Sequence, residues 1–506
     1  MLRFDTYIQG QRAQELDLAG AFVFGQDAIP VRADLILTDG RISCSYTLKS
    51  TSTGSVACGL SLLWETAAGN FMLPTTRLWE RDEPYILNVE LARAQMMRIA
   101  QKIEEWGLFD YADAADLCTE FDRVNHLFVE ALHAPGGEAA SVLADRALAE
   151  GITLGEKMAL FHAEIFIGRK RAAIGTAAPR LGLGCGVDLF ATAPAYQELQ
   201  RNTFEFVAVP LPWKHIEPQE RTVQFEPVDN WIAWAARSRR AVHAGPLLSF
   251  EPAYLPQWLF LWENDYETLR DLIYEHIQRI VKRYEKQVRV WNVVSGLNAF
   301  NGFNLSFEQL MELTRMSCFL VKKLSPRSQV VIDLAMPWGE YYSRNPRTIP
   351  PMMYADMAVQ SGVRFDAFGF QMYMGVPVDG YFVRDLLQIS SLMDELVSLG
   401  KPLHVSACQV PSDMVADPRD AWGGQLPIAK AGQWHQPWNQ RLQAEWLQAF
   451  YRIALSKPCV DSVAWRDLAD SESHYLPHGG LCHNTLEAKL AFAELRNFRS
   501  SLAKRQ

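Results

Sequence analysis

The second half of the chain alternates between short apolar runs and longer amphipathic stretches. Each run is almost continuously apolar, which is typical of strands buried on both faces of a parallel sheet. The stretches between them, such as residues 266–284 and 307–324, carry apolar residues at helical spacing. Eight such units in about 320 residues predict a closed (β/α)8 barrel with its chemistry at the strand carboxyl ends. The predicted strands are residues 181–190, 204–211, 241–250, 288–294, 329–336, 365–373, 402–410 and 460–468.

The first 86 residues follow a different pattern, in which apolar and polar positions alternate. The flanks of Asp39-Gly40, residues 33–38 and 41–48, predict a hairpin, and a second hairpin is predicted around the turn at 66–69. These hairpins favour a small β-sandwich, which serves either as an accessory module or as a structural cap. Residues 87–175 then change to helical periodicity, with Asn88 as the predicted N-cap of the first helix. The resulting domains are 1–86, 87–175 and the barrel at 176–506.

The composition and net charge of the chain argue against some classes of binding partner. The chain has 506 residues and a net charge of −9, which argues against binding to nucleic acid or to an anionic membrane. No apolar run is long enough to cross a bilayer and no secretory leader is recognised, so a cytoplasmic location is expected. The eight cysteines are dispersed without a CxxC pair, so neither a zinc ribbon nor any other cofactor is expected. A homo-oligomer is compatible with all of this.

Several segments at the predicted strand ends carry a family resemblance. Strand 4 ends in WNVVSGLN (291–298), strand 6 in GFQMY (369–373), strand 7 in VSACQV (405–410) and strand 8 in AWRDLAD (464–470). They resemble the Trp-Asp-Val-Val-Asn-Glu, Gly-x-Gln-x-His, Thr-Glu-x-Asp and Trp-Gly-x-x-Asp segments of glycoside hydrolase family 10. The segments WKHIEP (213–218) and GPLLSFE (245–251) match further family segments in the same order. The best-known members of this family are endo-β-1,4-xylanases.

The resemblance implies a retaining hydrolase with two catalytic glutamates, yet both are missing. A retaining mechanism needs two carboxyl groups about 5–5.5 Å apart, one as nucleophile and one as acid/base. At the matching positions this chain has Gly296 after strand 4 and Ala407 in strand 7. No Asp or Glu lies between Glu285 and Glu308, or between Glu395 and Asp413, so a shifted alignment does not restore them. A pseudo-enzyme is therefore expected.

Other positions of the resemblance have also changed, whereas several aromatic and amide groups persist. Pro246 and Glu251 replace two family histidines of strand 3. The predicted ligand-binding residues are Trp213, Trp291, Ser295, Gln371, Tyr373 and Trp465. For Trp291 and Trp465, burial in the core is the alternative. A small oligosaccharide is their expected ligand.

Two alternatives remain open from the sequence. Glu251 with Asp333 or Asp467 would form a relocated carboxylate pair if the spacing suited an inverting mechanism, about 6.5–9.5 Å. Alternatively, the barrel is only a scaffold, with the tryptophan-rich loop 421–440 plugging its mouth or packing as an ordinary loop. His474, His478 and His483 are too loosely spaced to predict a metal site.

Overall fold

The computed structural model describes residues 1–46, 56–174 and 182–504. Its centre is a closed barrel of eight parallel strands in the order β11-β12-β13-β14-β15-β16-β17-β19. The predicted (β/α)8 barrel is therefore confirmed. Residue 181 of the first predicted strand and residues 47–48 of the N-terminal hairpin lie outside the described residues. The barrel strands are Leu183–Gly186, Phe206–Val209, Ala241–Ala244, Val290–Ser295, Gln329–Leu334, Ala367–Tyr373, Leu403–Gln409 and Val460–Trp465.

The helices of the barrel cover its outer surface with their apolar faces. Helix α8 is representative: Ser306 caps its first turn in a reciprocal pair with Gln309, and its buried side packs on β14. The longer helices have the amphipathic pattern that the sequence predicts. The helices α4 to α12 are Pro194–Thr203, Trp213–Ile216, Glu226–Ser238, Tyr266–Tyr284, Phe307–Leu324, Pro351–Gln360, Leu386–Val397, Gln440–Ser456 and Leu490–Lys504.

The N-terminal part is rich in sheet, and both predicted hairpins are confirmed. Strand β6 pairs with β7 around Asp39-Gly40, and β8 pairs with β9 around the turn that Thr66 and Gly69 close. Strand order is β10-β1-β7-β6 in one sheet and β18-β9-β8-β4-β5 in the other, and β2 pairs with β3 alone. The strands β1 to β10 are Leu2–Asp5, Tyr7–Ile8, Gln11–Arg12, Phe22–Phe24, Pro30–Val31, Ala33–Thr38, Arg41–Tyr46, Gly59–Thr66, Gly69–Pro74 and Tyr85–Ile86.

Strand β18 is not part of the N-terminal sequence. It consists of Gln433–Trp434, from the long loop after barrel strand β17, and it pairs antiparallel with β9. Glu156, on helix α3, holds the same loop: one carboxylate oxygen accepts from Trp434 Nε1 at 2.8 Å and the other lies 2.9 Å from His435 Nε2. The loop at 421–440 is thus packed, in this part, as an added strand of the N-terminal sheet.

Three helices connect the N-terminal sheets to the barrel: α1 (Leu87–Glu105), α2 (Ala115–His133) and α3 (Gly136–Ile174). The prediction that Asn88 caps α1 is wrong, because the N-cap residue is Ile86. Asn88 is fully buried inside the helix, where its amide donates to Tyr7 O at 2.9 Å and to the Asp145 carboxylate. The Asn88 amide therefore links α1 to neighbouring elements instead of capping the helix.

The half-buried Asp145 gives the stability of the protein a pH dependence. Burial raises its pKa to about 6, although Asn88 and Trp64 donate to it and oppose the shift. The pKa of Asp145 is higher in the folded state than in the unfolded state. Its contribution to the free energy of unfolding therefore falls by about 2–3 kcal/mol as pH rises from about 4 to 6. We expect Asp145→Asn to remove that step. Urea unfolding of both proteins at pH 4.5 and 7 measures it, and parallel pH dependences would contradict the assignment.

Candidate functional site

The carboxyl ends of the barrel strands surround a cavity on the barrel axis. Its volume is about 110 Å³, and because one water needs about 10–15 Å³ of such space, it accommodates several waters or a small organic molecule. The deeper wall includes His243 and His404, and the outer wall includes Tyr254 and Arg466. This is the face on which barrel enzymes carry their chemistry.

The two positions that the resemblance assigns to glutamates lie at this rim without a carboxylate. Gly296 follows β14 directly and has a φ of +68°, which side chains rarely adopt. A Cβ atom there would lie 2.7 Å from the ring of Phe300. Ala407 is 6 % exposed and belongs to an apolar cluster with Tyr373, Tyr381 and Tyr475. The local packing has adapted to the small residues at both positions.

Asp333, at the end of β15, is the centre of a buried polar network. Its carboxylate accepts from Ser295 Oγ at 2.7 Å, Gln371 Nε2 at 2.9 Å and Ser406 Oγ at 2.5 Å. Burial raises the pKa of Asp333, and these donors oppose the shift. The sequence predicted Ser295, Gln371 and Asp333 as separate site residues, and the structure brings all three together.

Glu251 lies beyond β13, close to the same network. Burial raises its pKa; Arg466, Tyr475 and Lys214 oppose this shift, while the charge of Asp333 adds to it. Its nearest hydrogen-bond donor is Tyr475 OH, at 3.3 Å. A buried carboxyl group, Asp333, and a half-buried one, Glu251, that influence each other are therefore present near the mouth, as the relocated-pair alternative requires.

Asp467, the third candidate carboxylate, is engaged in holding a loop. It accepts from Gln409 Nε2 at 3.0 Å and from the backbone N–H of Tyr475 at 2.8 Å. Its carboxylate fixes the segment that places Tyr475 over the rim. Asp467 lines the cavity, and both of these hydrogen bonds go to its Oδ2.

Arg466 is a site residue that the sequence reasoning missed. It follows β19, lines the cavity and donates from Nη2 to Tyr254 OH at 3.2 Å. Its guanidinium also lies 5.1 Å from the centre of the Tyr475 ring. The signal was visible in AWRDLAD, where a basic residue stands at the glycine position of the family segment, directly after a buried strand.

Comparison with known proteins assigns the family. The sequence model of "Glycosyl hydrolase family 10" matches residues 175–496, well over half of the chain. This chain belongs to glycosyl hydrolase family 10. The resemblance drawn from the strand-end segments is thereby confirmed at the level of the family and its xylanase-like fold.

Among the relatives of this family 10 chain are two bacterial xylanases. Endo-1,4-beta-xylanase B of Thermotoga neapolitana is 23 % identical over 186 residues, which is 36 % of this chain and 53 % of that protein. Endo-1,4-beta-xylanase A of Xylanibacter ruminicola is 20 % identical over 224 residues, 42 % of this chain and 56 % of that protein. The chain thus spans about half the length of these relatives.

Solved xylanase structures match the barrel part. Native xylanase 10B from Thermotoga maritima has a TM-score of 0.49 at 16 % identity, covering 65 % of this chain and 98 % of that one. The family 10 structure from Paenibacillus barcinonensis has a TM-score of 0.47 at 18 % identity, covering 63 % and 95 %.

The predicted aromatic ligands of this family 10 member are buried in the structure. Trp213 is 3 % exposed and stacks on His276, with ring centres 4.0 Å apart. Trp291 and Trp465 are fully buried, and Trp465 Nε1 donates to Gly479 O at 3.0 Å. Tyr373 is buried in the cluster around Ala407. Of these four residues, Trp465 lines the cavity, and ligand contact by any of the four stays a prediction.

The loops above the barrel contribute packing and ion pairs. Trp422 packs on Tyr475 with ring centres 5.4 Å apart, and Trp438 is buried. His474 Nε2 lies 2.9 Å from Asp417 and His478 Nδ1 lies 3.3 Å from the same carboxylate. Within the described ranges, no group of three or more His, Cys, Asp or Glu side chains is arranged to bind a metal ion. None of the helices in the described part is long and apolar enough to span a membrane.

Proposed function

We propose that this family 10 barrel does not hydrolyse xylan and instead binds a small polyhydroxylated ligand in the axial cavity. The observation that carries the proposal is the structure around Gly296 and Ala407. Neither residue supplies a carboxylate; a Cβ at Gly296 would meet the ring of Phe300, and Ala407 lines the cavity as part of an apolar cluster with tyrosine rings. Glycine and alanine can neither attack an anomeric carbon nor protonate a leaving group.

The polar groups of the cavity support binding. Gln371 uses its amide nitrogen toward Ser295 and Asp333, which leaves its amide oxygen as an acceptor at the cavity. Asn292, also at the wall, has a buried side-chain oxygen with no hydrogen-bond partner in the described residues. Buried acceptors of this kind are normally satisfied, so a hydroxyl or water at the cavity is the natural donor. Sugars supply several hydroxyls at short spacing.

A second candidate function follows from Glu251 and Asp333. Asp333 is buried and Glu251 is half-buried, both have raised pKa values, and they influence each other, a combination that is frequent among catalytic acid/base pairs. Three side-chain donors already hold Asp333, however, and this is the arrangement of a structural anchor. A working inverting pair would need one carboxylate free to activate a water.

One experiment separates these candidates. The purified chain is incubated with xylotriose to xylohexaose, and native mass spectrometry reports bound and shortened sugars together. We expect no shortened products from the wild type, because Gly296 and Ala407 supply no carboxylate and three side-chain donors already hold Asp333. Products that disappear in Glu251→Gln, but persist in a control such as Glu445→Gln on the exposed face of α11, would replace our proposal with the relocated hydrolase.

A further inference from the structure

We infer that the ligand of the axial cavity is a sugar acid, whose carboxylate binds Arg466. This inference rests on the proposed function, since it names the class of ligand for the same cavity. It goes beyond neutral xylan fragments, because it requires a negative charge on the ligand. The argument depends on the free hydrogen-bonding capacity of Arg466 and on the neutral polar groups deeper in the barrel.

Arg466 is a half-buried cation without an ion-pair partner among the described residues. Among residues 1–46, 56–174 and 182–504, no carboxylate oxygen lies within 4.0 Å of its guanidinium nitrogens, and its one hydrogen bond goes to Tyr254 OH. A guanidinium carries five N–H donors, so most of them have no protein acceptor. Removing a charge from water without a partner is costly, and buried arginines are normally paired. An anion at this point of the cavity would satisfy it.

The nearby acids do not take that role. Asp467 is committed to Gln409 and the Tyr475 backbone, and Glu251 accepts from Tyr475 OH. Both acids act on Arg466 only at longer range. The charge of Asp467 raises the pKa of Arg466, and the charge of Arg466 lowers the pKa of Glu251. The planar donor face of the guanidinium fits a carboxylate, which it can bind through two parallel N–H···O bonds.

The deeper part of the cavity favours hydroxyl groups. Gln371 presents its amide oxygen, Asn292 at the wall has a buried oxygen without a partner, and the His243 side chain makes no hydrogen bond in the described part of the chain. His243 stacks on Phe206, and burial holds its pKa well below the usual value, so its imidazole is neutral and offers one donor and one acceptor. A molecule with a carboxylate at one end and several hydroxyls along its length matches both ends of the cavity.

The test compares acids with their neutral counterparts on the full chain. Isothermal titration calorimetry at constant sodium concentration uses D-glucuronate and D-galacturonate, matched by D-glucose and D-galactose. We expect at least one acid to bind at least 10-fold more tightly than its neutral match. In Arg466→Gln that affinity should fall at least 10-fold, and in Arg466→Lys less, because lysine keeps the charge but not the planar fork.

A variant that removes a positive charge outside the cavity serves as the control. Arg441→Gln, on the exposed side of α11, removes the same charge away from the cavity and should leave binding unchanged. If acids and neutral sugars bind equally well, the sugar-acid inference is wrong while the proposed binding function stands. If none of the four sugars binds to the wild type, both fail together. The wild-type comparison does not depend on the folding of any variant, and circular dichroism checks each variant separately.

Discussion

Replacing Gly296 by glutamate, which would put back one residue of the family pair, is expected to destabilise the protein by about 2–6 kcal/mol. About 1–3 kcal/mol comes from placing a side chain at a φ of +68°, and a similar amount from overpacking against Phe300, which a new Cβ would approach to 2.7 Å. Urea unfolding followed by circular dichroism measures the loss. The variant should also stay inactive on xylohexaose, because Ala407 still lacks the partner carboxylate.

Gly362 provides the matched control for this prediction. Its φ is +69° and a Cβ there would meet no atom within 4 Å, so Gly362→Glu contains the backbone strain without the steric contact. We expect it to lose only about 1–3 kcal/mol. Equal losses for the two variants would show that Phe300 moves aside, and the steric part of the argument would be wrong.

Loss of Arg384 is expected to destabilise the protein by about 3–5 kcal/mol, because it leaves Glu340 as a buried, uncompensated charge. Glu340 is fully buried and accepts from the Arg384 guanidinium and from the backbone N–H of Gly380. The guanidinium also lies 4.2 Å from the ring centre of Trp338. Arg384→Leu therefore removes an ion pair and a cation–π contact together.

Two further variants make the Arg384 prediction specific. In Arg384→Leu/Glu340→Leu both charges are gone, so part of the stability should return. The exposed pair of Arg441 and Glu445 on α11 serves as the comparison, and breaking it should change stability by no more than about 0.5 kcal/mol. A loss in Arg384→Leu that the double variant does not reduce would mean that packing, rather than the unpaired charge, is responsible.

The barrel could be predicted from the sequence because its strands are buried on both faces. Their nearly continuous apolar runs, such as residues 288–294, are compatible with few other elements, and eight such runs indicate a closed barrel. The hairpin at Asp39-Gly40 was equally readable from its turn residues. Strand β18 could not be predicted from the sequence. It has only two residues and its partner lies more than 350 positions earlier, so it leaves no periodic pattern.

The candidate site could be predicted only in part. The absence of both glutamates follows from the residue order alone, since no Asp or Glu stands near Gly296 or Ala407. The grouping of Ser295 and Gln371 around Asp333 depends on inward side-chain directions in three strands, which a barrel assignment suggests but does not fix. Asn88 was misassigned because its burial depends on contacts with distant elements.

The pairing of Gln433–Trp434 with strand β9 has a consequence for how the chain can be divided. A fragment beginning at residue 182 would keep β18 but lose the strand it pairs with, and it would also lose Glu156, which accepts from Trp434. An N-terminal fragment, in turn, would leave β9 as an unpaired edge, a known template for aggregation. The later part of the chain donates a strand to the N-terminal sheet, so a cut near residue 182 leaves that sheet incomplete.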